Sequence, residues 1–290
     1  MKYFALLFVG LFAVQLSAKS LGHPQAKPLA LIYKGPGSCV QSSVTMGCSE
    51  ASAVVARAAG FDVEYIGPKL PADLTLFTRA SVWIQPGGRA RVQVAEMEES
   101  LKQKIRDFIK SGKGYVGFCA GGFLASEKFG WNSDKDGEFE VAALGLIPGM
   151  SRYYDFFDDE ISEENPAKII STYWLNVKRD VYWELGPYFN EDALSGFQNS
   201  EVVARYPSVI QRPSALDKKP EGSGRLGRSK NIQPIMSLRG EYYGGRVYVT
   251  AVHPEAPQDW RNYYKLNDND GLDIDLAKEM VLWAARLNSN

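Results

Sequence analysis

The sequence predicts an α/β fold with a doubly wound, mostly parallel sheet, and three observations carry that prediction. Four compact apolar runs recur along the chain: Leu29–Tyr33, Ser81–Ile84, Tyr115–Phe118 and Val247–Val252. Short continuous runs of this kind suit strands buried on both faces. Helical stripes lie between them, and strand–helix alternation is the pattern of a parallel sheet covered on both sides.

The elements follow in order. Residues 19–28, with Pro24 and Pro28, read as a linker ahead of the first strand. Ser49 is placed to cap a helix bearing Val54, Val55 and Ala58, with Gly60 as its stop. Leu101, Ile105, Phe108 and Ile109 share one helical face, and Gly112 ends that helix. Leu276, Met280, Trp283 and Leu287 form a last stripe, read as core. The stretch 127–240 differs: Tyr, Trp, Pro and Gly are irregularly spaced, with strand-like pieces at Ala167–Val177 and Glu201–Tyr206. It reads as a β- and loop-rich insertion in the single domain 29–290, placed to shape a substrate pocket.

Ahead of the domain, Lys2 is followed by an apolar run from Phe4 to Leu16 and then by Ser17, Ala18 and Ser20. This is the grammar of a secretory signal, residues 1–18, with cleavage after Ala18 or Ser20. The run is shorter than the roughly 20 apolar residues that span a bilayer. An uncleaved N-terminal anchor is the alternative and the only route to a membrane. The expected location is outside the cytoplasm, periplasmic or secreted. A net charge of −1 gives no reason to expect nucleic acid as a partner. The one basic stretch, Lys218, Lys219, Arg225, Arg228 and Lys230, is interleaved with Gly, Ser and Pro and reads as a solvated loop.

There are three cysteines, an odd number for an exported chain. Cys39 and Cys48 lie in a Gly- and Ser-rich loop and can pair, which leaves Cys119 free. All three reduced, with the first two as packing residues, is the other reading.

Three motifs carry chemistry. Gly117–Phe118–Cys119–Ala120–Gly121–Gly122 follows an apolar strand and precedes a helix: a nucleophile elbow, G-x-C-x-G, with cysteine at its apex. Gly117 and Gly121 keep the sharp turn free of side chains. A helix N-terminus favours the thiolate at Cys119, and the Ala120 N–H faces the same space as an oxyanion donor. The second motif, His253–Pro254–Glu255, ends the Val247–Val252 strand, where an imidazole and an orienting carboxylate can serve that sulfur. The chain has two histidines, and His23 lies in the linker, so His253 is the domain's one candidate base. In the third, Gln85–Pro86–Gly87–Gly88 ends another strand, and the Gly88 N–H is a second oxyanion donor. A buried cysteine in a tight turn, a locally bonded histidine and an ordinary Pro-Gly turn are the bland readings of the three.

Taken in order, these motifs resemble the class I glutamine amidotransferase superfamily, whose fold is flavodoxin-like, over about Leu29 to Glu255. More narrowly, Leu31–Gly37, Pro86–Arg89, the Cys119 motif and Gly186–Phe189 resemble the biotin-protein ligase N-terminal domain family. The resemblance implies a Cys119–His253–Glu255 triad, an oxyanion hole from Gly88 and Ala120, and acyl transfer from an amide through a thioester. Gly87 and Arg89 would contact substrate, Arg89 through a substrate carboxylate. No ammonia-accepting domain accompanies the motifs, so hydrolysis of an amide, peptide or γ-glutamyl bond in a small molecule or peptide is the expected reaction. A non-catalytic small-ligand-binding protein on the same scaffold is the alternative, and a glutaminase subunit with a separate synthase partner is a third. No cofactor is expected: one domain histidine and three scattered cysteines do not make a zinc site, and no nucleotide-binding glycine loop is present.

Overall fold

The computed structural model describes residues 26–39, 46–133, 137–154, 166–207 and 233–287. The signal segment and the basic stretch lie outside the described residues. The chain runs β1 (Leu29–Tyr33), α1 (Cys48–Ala58), β2 (Asp62–Ile66), α2 (Thr75–Arg79), β3 (Ala80–Gln85), α3 (Ala90–Glu96), α4 (Glu99–Lys110), β4 (Gly114–Phe118) and α5 (Ala120–Ala125). The insertion then supplies β5 (Ser126–Ser133), β6 (Gly137–Ala142), β7 (Ile147–Tyr153), β8 (Ala167–Trp174), β9 (Val177–Glu184), β10 (Pro187–Phe189), α6 (Asp192–Ser195) and β11 (Gln198–Arg205). The chain returns through β12 (Ile235–Tyr242), β13 (Gly245–Thr250), α7 (Gln258–Tyr263) and α8 (Ile274–Ala284).

Side chains two apart along a strand share a face, and this sorts the core into two layers. Ala30, Ile32, Val82, Ile84, Val116 and Phe118 pack with α1 and α8 through Val55, Met280 and Val281. Leu29, Leu31, Tyr33, Trp83 and Tyr115 pack on the opposite side with Leu101, Ile105, Phe108 and Ile109 of α4. Apolar residues at successive strand positions therefore face two different helical layers, which is why these strands read as unbroken apolar runs.

Strands β2-β1-β3-β4-β13 form a parallel half-sheet. The sheet then turns antiparallel at β12, β10 and β7, runs parallel from β7 to β5, and ends on the antiparallel β5–β6 pair, with β11 on the far side of β12. The insertion is thus largely an extension of the main sheet, and only the β8–β9 hairpin stands apart as a second sheet. Because β3, β4 and β13 are parallel neighbours, their C-terminal ends open on one edge, the usual place for a site in an open α/β sheet.

Two local expectations are corrected. Ser49 is not a cap: α1 begins at Cys48 behind Gly47, and the Ser49 hydroxyl donates to the Tyr33 carbonyl at 2.8 Å, tying helix to strand. Leu287 lies beyond α8 and is exposed, so the last stripe stops at Trp283. β2 went unpredicted because it is an edge strand with three exposed residues and no apolar run.

Cys39 and Cys48 are joined as a disulfide, with Cα atoms 5.1 Å apart. Closing a loop of this size constrains the unfolded chain by about 2.5 kcal/mol. Reduction, or the double change Cys39→Ser and Cys48→Ser, is expected to lower Tm by roughly 5–10 °C. Thermal unfolding with and without reductant measures this, and an unchanged Tm would contradict it.

Candidate active site

The site begins with a strained turn. Cys119, directly after β4, has φ 44° and ψ −101°, a conformation L-residues rarely adopt. Its N–H donates to the Thr250 carbonyl at 2.9 Å, which locks the turn to the end of β13. A Cβ at Gly117 would press on the Gly121 carbonyl, and one at Gly121 on the Gln85 carbonyl, so both positions need glycine. The Gly122 and Phe123 N–H groups close onto the Cys119 carbonyl. Ala120 opens α5, where the first N–H groups of a helix have no intrahelical acceptor.

His253 follows three residues after β13, and a tight turn brings its partner back to it. The Ala256 N–H donates to the His253 carbonyl at 3.0 Å, with Pro254 at the second position, where proline's fixed φ suits the turn. Glu255 thereby folds under the ring, its Oε1 2.8 Å from Nδ1. The other ring nitrogen, Nε2, is left unengaged by Glu255, and His253 and Cys119 line one cavity. Cys119, His253 and Glu255 are 4%, 3% and 3% exposed, so all three are shielded from water. The rings of Tyr182 and Trp260 close on the imidazole edge to face at 5.8 and 5.4 Å. The His253 N–H is fixed to the Tyr182 carbonyl at 2.8 Å.

Burial is the largest influence on His253 and favours the neutral ring. The charge of the Glu255 carboxylate hydrogen-bonded to the ring, together with the Cys119 sulfur, outweighs it, so the imidazole pKa stands well above its ordinary value. Since the folded value is raised above the unfolded one of about 6.5, this protonation stabilises the fold fully below pH ~6.5 and ceases to do so as pH rises through the folded value. In Glu255→Gln the main opposing charge is gone and burial dominates, so the His253 pKa is expected to fall. Side-chain ¹⁵N titration by NMR, assigned with His253→Gln, reads this directly. An unchanged titration would show that Glu255 does not set the ring's charge.

The turn after β3 completes the pocket. Gly88 has φ 121°, and a Cβ there would strike the Gly37 carbonyl, so only glycine fits. Gly87 lies flat against the imidazole: a Cβ would overlap His253 Cε1 and stand 3.0 Å from Nδ1. A buried amide relay holds this turn. Trp83 Nε1 donates to Gln85 Oε1, Gln85 Nε2 donates to Gln93 Oε1, and Gln93 Nε2 reaches the Gly87 and Gly37 carbonyls at 2.9 and 3.2 Å.

A cavity of ≈ 380 Å³ opens over the sulfur, lined by Gly88, Arg89, Cys119, His253, both disulfide cysteines, Glu184 and Leu185. Of the residues predicted for the site, Cys119, His253, Glu255, Gly88 and Arg89 therefore converge. Arg89 sits exposed at the mouth, while Gly87 packs on the His253 ring rather than lining the cavity. The disulfide forms part of the wall, and Trp260 Nε1 pins its loop by donating to the Met46 carbonyl at 2.8 Å.

The insertion contributes what sequence reasoning missed. The Cys119 thiol lies 3.5 Å from the Glu184 carbonyl. The Tyr182 and Tyr264 hydroxyls donate to the Glu184 carboxylate at 2.8 and 3.3 Å. Burial first, then the Glu184 charge, push the Tyr182 phenol pKa far up, so it remains a donor. Among the described residues, no group of three or more His, Cys, Asp or Glu is arranged to hold a metal ion, and no helix is long and apolar enough to cross a membrane.

Residues 29–280 match the family described as "Biotin-protein ligase, N terminal", and the chain belongs to that family. A biotin–protein ligase of Schizosaccharomyces pombe is 27% identical over 166 residues, which cover 54% of this chain and 26% of the ligase. The match thus spans about a quarter of that relative's length. Similar solved structures include a glutamine amidotransferase (14% identity, 81% of this chain and 96% of that one, TM-score 0.49). Another is PurLQS from Thermotoga maritima (16% identity, 88% and 98%, TM-score 0.48).

Proposed function

We propose that this chain is an exported, cysteine-dependent hydrolase of an amide, peptide or γ-glutamyl C–N bond. The observation that carries the reading is that Cys119, on a strained elbow, and His253, bonded to Glu255, line one cavity. His253 takes the thiol proton, and the sulfur attacks the amide carbonyl. The resulting oxyanion is held by the N–H groups of Gly88 and Ala120. His253 returns the proton to the leaving amine, a thioester remains, and water attacks it with His253 again as base. Glu255 holds the imidazole in register and balances the imidazolium. The acceptor is water, and no cofactor enters.

The test is turnover of a panel of peptidyl, γ-glutamyl and simple amides by the wild type and by His253→Ala. Loss of turnover in the variant, with affinity for the same amides retained, supports hydrolysis. Amide binding that is equal in both proteins, with turnover in neither, would make the chain a binding protein.

Export is supported by the signal-like segment and by the disulfide, a bond that persists in oxidising compartments. A mature N-terminus at Lys19 or Leu21, recovered from a periplasmic or secreted fraction, is the expected finding. Full-length chain confined to the cytoplasm would contradict it.

A further inference from the structure

Among the described residues, Glu184 is the one carboxylate lining the cavity over Cys119. It ends β9, so it reaches the site from the insertion, on a segment fixed from several sides. The Gly186 carbonyl accepts from the Tyr154 N–H, the Tyr182 carbonyl accepts from the His253 N–H, and a Cβ at Gly186 would overlap the Ala251 carbonyl. Leu185, next in the chain and also in the cavity wall, is held at φ 53°. Strained backbone of this kind persists where its surroundings over-determine it and clusters at functional sites. The main chain of Glu184 touches the sulfur, so its carboxylate lies within one side chain's length of the reacting centre. Two tyrosine hydroxyls hold that carboxylate in place. Of the cationic side chains of the cavity, His253 is paired with Glu255 and Arg89 stands at the exposed mouth.

We infer that Glu184 is a specificity-determining residue and that the site takes amides bearing an ammonium or guanidinium group beside the scissile carbonyl. This rests on the reading of Cys119 as the attacking sulfur. A fixed carboxylate in a partly buried cavity attracts a cation far more strongly than one in open water. Its position on β9 makes the insertion the source of substrate selection, while the parallel half-sheet supplies the chemistry.

The experiment compares the rates at which cationic 2-aminoethyl methanethiosulfonate and anionic 2-sulfonatoethyl methanethiosulfonate modify Cys119 in the full chain. Mass spectrometry of the Cys119 peptide is the readout. The cation/anion rate ratio is expected to favour the cation in the wild type and to fall about 10-fold in Glu184→Gln, which keeps the shape and the acceptor oxygen. Raising salt from low concentration to 1 M should move the wild-type ratio toward unity, which keeps the inference testable if the variant does not fold. A ratio insensitive to both changes, with Cys119 still modified, overturns the role of Glu184 and leaves the hydrolase reading intact. Failure of both reagents to modify Cys119 overturns both.

Discussion

Replacing His253 with alanine is expected to slow alkylation of Cys119 by iodoacetamide at pH 6 by tens of fold. In the intact site the proton can reside on the imidazole, whose positive form is favoured by Glu255 and by the sulfur itself. The attacking species is then a thiolate. Without His253 no base takes the thiol proton, and the thiol is a far weaker nucleophile than the thiolate. The buried Glu255 loses its partner in this variant, so its Tm must be checked beside the rate; His253→Gln, which fills the same space, gives the cleaner comparison. Equal rates for wild type and variant would mean that the imidazole does not activate the sulfur.

The second large effect leaves every reactive side chain in place. Gly87→Ala puts a methyl group into the ring of His253. The ring has nowhere to go: Glu255 holds Nδ1, Tyr182 and Trp260 close on its faces and edge, and the main chain is tied to Tyr182. Overpacking of this kind costs about 1–3 kcal/mol, and a displacement of about 1 Å at a reacting group can cost 10²-fold in rate. Gly87→Ala is therefore expected to lose most of the pH 6 reactivity of Cys119 and to lower Tm by several degrees. Gly67→Ala, whose Cβ would meet nothing within 4 Å, is the control. Alkylation rates and thermal unfolding of both proteins measure this. A Gly87→Ala protein as reactive and as stable as the control would show that the imidazole is not wedged as described.

The parallel half of the fold is legible in the sequence for a physical reason. Strands β1, β3, β4 and β13 are covered on both faces, so apolar residues occupy successive positions along them, and they stand out against the amphipathic helix α4. The elbow and the His-Pro-Glu turn are legible because each is local: backbone strain demands glycine around Cys119, and a proline turn folds Glu255 onto its neighbour two residues away. What could not be read is what the chain brings from afar. Glu184 meets Cys119 across 65 residues, and Tyr182 and Trp260 wall the imidazole from the insertion and from α7 without any motif of their own. The relay of Gln85 and Gln93 left only a faint signal, a polar residue ending an apolar strand. The continuation of the sheet beyond β13 was hidden for a related reason: with one face of several strands part-exposed, its apolar pattern is broken rather than continuous.

The central claim is that His253 and Glu255 make Cys119 a nucleophile at neutral pH and below. The measurement that meets it most directly is the rate of iodoacetamide modification of Cys119 in the wild-type protein from pH 5.5 to 9, without reductant, with each cysteine peptide quantified by mass spectrometry. The account expects Cys119 alone to be modified, already fast at pH 6, while Cys39 and Cys48 remain paired. Modification that becomes appreciable only above pH 8, with the profile of an ordinary thiol, would contradict it.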